Sequence, residues 1–406
     1  MTAARPIGPD RRALGAAYAI GLFGMGYIDV FVFLMPIYGG SLGLSATDIG
    51  WLVGARTVLT LVFSIHVGTL MDRFGTRRVM QVFVAVAMLG APLYPLLDGF
   101  WALLAVQMLV GGSVAFGWAG GQTMIAQIAH GDAEYIGRFS FASRLGTTAA
   151  PLIAGVIWDL GGAWPSYLLA TAWGIVLMAT LHLAPDLPAG DSEAAPPRFA
   201  PRDMLPRLSD YARSFAMMAI PVVAISVVIM FLRNATSGIN NSVYIVYLDS
   251  IGMTGWKIGA LFSAIEFASG FGSLLGGRAM RLGHPVWTML IATAIAIALI
   301  CITPWLGGIF ILLLLAQALR GLVQGVSQPV MFSVQSKSVG RHEQGAVVGL
   351  RQTMNRLSAI IVPPVMGAIA DHWGLAESFL ILGAGLILLC ALVGVWIART
   401  PLRPIE

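Results

Sequence analysis

The stretch Gly68-Thr69-Leu70-Met71-Asp72-Arg73-Phe74-Gly75-Thr76-Arg77-Arg78 joins two long apolar runs. A glycine at position 68 presents only backbone and lets a second helix approach closely. Asp72 sets a negative charge where the start of a neighbouring helix offers a partial positive one, and Arg73, Arg77 and Arg78 gather positive charge on one side of the runs. Composition tells what the runs are. Of 406 residues, 57% are hydrophobic and only 11% charged, and the mean hydropathy is +0.82. No soluble core of that size hides so much apolar surface. The chain reads as an all-α membrane protein.

Cutting the apolar runs at about 20 residues, the length that crosses a bilayer as a helix, gives twelve spans. They cover roughly 13–38, 46–70, 79–97, 101–128, 138–158 and 165–184, then 216–248, 256–277, 286–304, 309–335, 346–371 and 376–398. Orientation follows from the 24 basic residues, because Lys and Arg concentrate in cytoplasmic loops. With the N-terminus inside, 17 fall inside, only Lys257 falls outside, and six lie within spans. Both termini are therefore expected in the cytoplasm, and the pI near 9.5 reflects topology rather than nucleic-acid binding. The first span is too long for a signal peptide and lacks its cleavage site. Cys301 and Cys390 both fall within spans, so the sequence offers neither a disulfide framework nor a metal motif.

Prolines 185, 188, 196, 197, 201 and 206 mark a linker. It divides the chain into a six-helix bundle at 1–184, a cytoplasmic linker at 185–213 and a second six-helix bundle at 214–406. The halves repeat each other. Arg144-Leu145, Pro151, Gly155, Asp159, Ser166 and Tyr167 recur 212 positions later as Arg356-Leu357, Pro363, Gly367, Asp371, Ser378 and Phe379. The loop pattern recurs in worn form at Gly276, Arg281 and Gly283, with Met280 where Asp72 stood.

The loop pattern G-x-x-x-D-[RK]-x-G-x-[RK]-[RK] is filled at every fixed position, and it resembles the signature between the second and third spans of the major facilitator superfamily of membrane transporters. The resemblance implies two pseudo-symmetric halves that rock about a central site to give alternating access. It also implies a gating role for Gly68, Asp72, Arg73, Gly75, Arg77 and Arg78. Spans 1, 2, 4, 5, 7, 8, 10 and 11 are then expected to face the cavity, and 3, 6, 9 and 12 to face lipid. Interior charges test this, since each costs about 2.5–3.5 kcal/mol on insertion scales and must face water or a partner. Asp29, Arg56, Arg144, Arg233, Glu266, Arg320, Arg351 and Arg356 all fall in spans expected to line the cavity.

These charges separate into candidate roles. The proton affinity of a carboxylate depends on whether water or a guanidinium faces it, so Asp29 and Glu266 are candidates for proton coupling, with a static ion pair as the plain alternative. Arg144 and Arg351 lie nearer the cytoplasmic ends and read as structural or gating residues. Arg56, Arg233, Arg320 and Arg356 lie deeper, and a guanidinium offers a planar fork of donors suited to a carboxylate or phosphate. Six interior arginines against two carboxylates favour an anionic or zwitterionic solute. Helical spacing adds Asn240, Asn241 and Tyr244 to the face of Arg233, Gln324 to that of Arg320, and Asn355 to that of Arg356. The same stripes would equally glue helices together.

The leading expectation is a secondary active transporter of a small organic anion or zwitterion. It would act as a monomer in the bacterial inner membrane, with protons or a counter-solute driving the exchange. The alternative is a proton-coupled efflux antiporter of drugs or metabolites. For it speaks the segment Gly146-Thr-Thr-Ala-Ala150-Pro151-Leu-Ile-Ala154-Gly155, which resembles the exporters' G-x-x-x-G-P-x-x-G-G motif with two glycines replaced by alanine. Against it, Val110 stands where the exporters' fourth-span arginine is expected, although Arg320-Gly321 retains the pattern in the repeat. No phosphate loop, nucleophile motif or metal cluster suggests an enzyme or a cofactor.

Overall fold

The computed structural model describes residues 10–129, 132–186, 215–282, 284–338 and 344–400, and within these the side chains of Asp72, Met280 and Arg281, among others, fall outside the description. The linker prolines beyond Pro185, as well as Gly283, also lie outside the described residues. Among the described residues there is no strand. The α-helices are α1 (Arg11–Ser41), α2 (Ala46–Phe74), α3 (Thr76–Gly90), α4 (Phe100–Ala129), α5 (Ala133–Gly161) and α6 (Ala163–Leu183). They continue as α7 (Pro221–Asn240), α8 (Val243–Ser250), α9 (Gly255–Leu282), α10 (Pro285–Cys301), α11 (Phe310–Lys337), α12 (Gln344–Trp373) and α13 (Leu375–Arg399). Among the described residues, ten segments are long and apolar enough to cross a membrane. Two of the twelve expected spans fall short for physical reasons. Helix α5 carries Glu134, Arg138, Arg144 and Asp159, and α10 has only 17 residues before a short 3₁₀ turn at Thr303–Leu306.

Punctuation is local. Ser45 accepts from the Asp48 N–H at 3.0 Å to start α2, and Asp132 does the same for Glu134 at 2.8 Å to start α5. Gly162 and Gly374, 212 positions apart, take φ of 69° and 104° at the turns after α5 and α12, a backbone region that only glycine enters cheaply. The repeat therefore extends to turn geometry. The seventh span differs from its expected form. Instead of one continuous helix over 216–248 it is two, α7 and α8, interrupted at Asn241 and Ser242. There Ser242 N–H donates to the Ile239 carbonyl, three rather than four residues back, and Ser242 Oγ to the Gly238 carbonyl, so a turn bond and a side-chain bond replace the helical ladder.

Helices α1–α6 pack among themselves, as do α7–α13, and the two groups meet chiefly through α2 against α12 and α5 against α9. At both seams glycine brings backbones together. A Cβ at Gly50 would collide with the Pro363 carbonyl, and one at Gly259 with the Pro151 carbonyl. Each seam ends in a carboxylate. Asp371 accepts from the N–H groups of Ala46 and Thr47 at 2.8 Å each, and Asp159 accepts from those of Gly255 at 2.6 Å and Trp256 at 2.8 Å. Each aspartate thus caps the first turn of a helix in the other group, where backbone donors have no partner of their own. The two aspartates are a repeat pair, and they close the face opposite the helix ends at Arg11 and Arg399.

One expectation is corrected. Nothing lies within 4 Å of a Cβ built on Gly68, so that glycine permits no close helix approach here. Its repeat counterpart Gly276 does pack, against Pro329 of α11 within its own bundle. The described cross-bundle contacts of α2 lie nearer its start, at Ala46, Thr47, Gly50, Gly54 and Thr60.

Replacing Asp159 and Asp371 together with alanine is expected to loosen this face. Each lost charge-assisted hydrogen bond weakens it by about 1.5–3 kcal/mol. A cysteine at the buried position Ala46 should then react with a maleimide at least about tenfold faster than in the otherwise unaltered chain. Equal rates would show that the caps do not hold the seam.

Candidate functional site

Between the bundles lies a cavity of about 100 Å³ lined by Asp29, Val32, Thr147 and Pro151 from α1 and α5, and by Ser237, Asn240, Asn241, Phe262, Ile265, Glu266, Arg320 and Gln324 from the second group. Asn240 and Asn241 are there because α7 breaks at that point. A broken helix turns polar backbone and side chains towards a cavity, the one place at membrane depth where they are tolerated.

The polar lining divides into groups whose bonding is complete and groups whose bonding is not. Asn240 Oδ1 accepts from Gln317 at 3.1 Å, and Gln324 Nε2 donates to Thr236 Oγ1 at 2.7 Å. Glu266 forms an ion pair with Arg144 at 3.6 Å, a link between α5 and α9 across the two bundles. Thr147 lines the cavity together with Asp29, whose Oδ2 is buried with no partner among the described residues. Arg320 is only 1% exposed, and its Nε and Nη1 likewise have none. A buried guanidinium without hydrogen bonds is costly, so Arg320 is built to be met by something.

Arg233 and Arg356 are engaged with the protein, whereas Arg56 Nε is also buried with no partner among the described residues. Arg233 donates through Nε to Ser327 Oγ at 3.1 Å, and through Nη2 at 3.5 Å to the Gln324 carbonyl and the Gln328 side chain. Arg356, the repeat partner of Arg144, donates through Nη1 to the Thr60 carbonyl at 2.6 Å and so joins α12 to α2. Arg56 packs its stem against Gly111 and lies in electrostatic range of Asp29 without lining the cavity. Asn355 bonds to Asn234, and Tyr244 is buried with its ring near Phe262 and Phe379. Of the residues singled out from the sequence, the structure brings Asp29, Asn240, Asn241, Glu266, Arg320 and Gln324 together at the cavity, and sets Arg56, Arg233, Tyr244, Asn355 and Arg356 outside its lining.

The charged loop after α2 works within its own bundle. Gly75, at φ 86°, makes the turn into α3. Arg77 donates to the carbonyls of Ala184 at 3.0 Å and His182 at 3.1 Å, and Arg78 pairs with Asp186 at 3.7 Å. The cations thus sit at the C-terminal end of α6, where carbonyls lack helical partners and the helix dipole is negative. Arg73 lies over the ring of Phe74. The Asp72 side chain lies outside the described residues.

Sequence reasoning passed over Thr147 and the Asp159 and Asp371 caps. The caps left a signal: a repeated carboxylate a few residues before a glycine turn at the end of the fifth and eleventh spans.

The Major Facilitator Superfamily model matches this chain over residues 14–278 and 225–405. The chain belongs to that superfamily. It is a multi-pass membrane transporter, and its relatives are transporters rather than enzymes. Its sequence is 24% identical to the enterobactin exporter EntS of Salmonella paratyphi A over 91% of this chain and 87% of that protein. It is 25% identical to EntS of Shigella boydii over 95% and 91%. In fold it is similar to the nucleoside transporter NupG, with a TM-score of 0.77 at 14% identity over 96% of this chain and 100% of the other. It is also similar to a D-xylose-proton symporter, with a TM-score of 0.71 at 13% identity over 97% and 98%.

The Arg144–Glu266 pair is expected to act as a unit. In a double-mutant cycle with Arg144→Gln and Glu266→Gln, melting temperatures should give a coupling energy of about 1 kcal/mol, with the double variant more stable than the two single losses sum to. A coupling near zero would mean the two side chains do not hold the bundles together.

Proposed function

We propose that this transporter carries a small organic anion or zwitterion by alternating access about the cavity at Arg320, in exchange for protons or a counter-solute. The observation that carries this reading is the buried guanidinium of Arg320, unpaired at Nε and Nη1 in a cavity between two bundles. A carboxylate or phosphate lies in the plane of a guanidinium and accepts from Nε and the Nη2 beside it, or from the two Nη groups together. Such a partner is stronger in the dry cavity than in water. The closed face at Asp159 and Asp371 is then the outer one if the basic loops lie in the cytoplasm. Asp72, Arg73, Arg77, Arg78 and Gly75 would serve the inner gate, and Gly68 would join them only in a state where the bundles meet there.

Proton coupling fits Glu266 or Asp29. Glu266 shares its charge with Arg144 across the moving seam, so separating the bundles exchanges an arginine neighbour for water and changes how readily the carboxylate takes a proton. A second reading, an efflux antiporter, is favoured by the EntS relatives, whose name is that of an exporter. It differs in direction and solute size and would use the same cavity opened further.

Two measurements separate these readings. Arg320→Lys keeps the charge and loses the planar fork, so affinity for a carboxylate solute should fall at least about tenfold, roughly 1.4 kcal/mol. Arg356→Lys should leave affinity within about twofold, because Arg356 holds Thr60. In proteoliposomes, an imposed pH gradient should drive transport, and Glu266→Gln should abolish that drive while exchange persists. Tight binding by Arg320→Lys would remove the anion site, and a wild type indifferent to the gradient would leave an exchanger.

A further inference from the structure

The cavity holds two unfilled valences of opposite sign, and they come from opposite bundles. Asp29 Oδ2 on α1 is buried with no hydrogen-bond donor, and Nε and Nη1 of Arg320 on α11 are buried with no acceptor. Both residues line the same space. Their neighbours do not complete them: Glu266 is paired with Arg144, Gln324 with Thr236 and Asn240 with Gln317. Arg56 is within electrostatic range of Asp29 without lining the cavity. A buried polar atom without a partner costs of the order of 1–3 kcal/mol, more when charged. Two such groups on residues that line one cavity therefore favour an occupant that completes both.

A simple anion completes only Arg320 and leaves Asp29 as it was, with a second negative charge brought towards it. A cation completes Asp29 and is repelled by Arg320. We infer that the solute is a small zwitterion, its acidic end on Arg320 of one bundle and its ammonium end on Asp29 of the other. This rests on the reading of the cavity as the solute site and chooses between the two solute classes left open there. The cavity volume of about 100 Å³ suits it, since a water molecule takes about 30 Å³ of liquid and a short amino acid displaces only a few. Phe262, also in the lining, offers an apolar wall for the carbon chain between the poles.

The arrangement has a mechanical consequence. A solute that bridges the bundles binds best in states that bring Asp29 and Arg320 within its reach, and a ligand shifts a conformational equilibrium by its difference in affinity for the two states. Solutes with a single charged end touch one bundle only and have no such hold.

The test is binding to the full-length protein in nanodiscs, read by titration calorimetry. The probes are ω-amino acids with one to five methylenes between the poles, the carboxylic acids of the same chain length, and the amines. At least one amino acid should bind the wild type at least about tenfold more tightly than its matching acid or amine. Asp29→Asn should erase that preference, so that acid and amino acid bind within about twofold of each other, and Arg320→Gln should weaken both. If the acid binds the wild type as tightly as the amino acid, the zwitterion is wrong and the organic-anion site stands. If the amine alone binds, or if no probe binds at millimolar concentration, both are wrong. The wild-type panel decides this whether or not either variant folds.

Discussion

The first N–H groups of a helix have no partner within it. Here two carboxylates supply what is missing. Asp371 satisfies the start of α2 and Asp159 the start of α9, each reaching from one bundle to the other. These caps close one face and set the register of the two long seams, with Gly50 under Pro363 and Gly259 under Pro151. Further along the same seams come the Arg356 bond to Thr60 and the Arg144–Glu266 pair. The cavity sits between these seams.

Charge at membrane depth follows one rule, which is that it must be answered. Arg144 is answered by Glu266, Arg233 by Ser327 and its neighbours, and Arg356 by Thr60. Arg320, one oxygen of Asp29 and Nε of Arg56 have no hydrogen-bond partner among the described residues. The proposed solute site is where two of these, Arg320 and Asp29, line the cavity. Position within the spans alone could not make this distinction, because Arg233, Arg320 and Arg356 have the same residue type at similar depth. Only their partners distinguish them.

Much of the fold was legible because it depends on quantities a sequence displays: run length and a repeat offset that also holds for the turns at Gly162 and Gly374. What escaped depends on individual bonds. The break of the seventh span turns on local bonds of Ser242 that compete with the helix, and a long apolar run hides it. The caps join residues more than 90 and 300 positions apart. Gly68 was assigned a close neighbour because its motif implied one, and nothing lies within 4 Å of a Cβ built on it.

The most direct test of this account is whether the two bundles rock about the cavity. Spin labels at Leu42 and Ile251, at the face closed by the caps, and at Gly137 and Arg278, at the opposite face, would report the two distances by pulsed electron resonance in nanodiscs. Alanine at both Asp159 and Asp371 should lengthen the first distance and shorten the second together, giving a population absent from the protein with both caps intact. Two distances that stay fixed, or that change independently of each other, would contradict rigid rocking about Arg320 and Asp29.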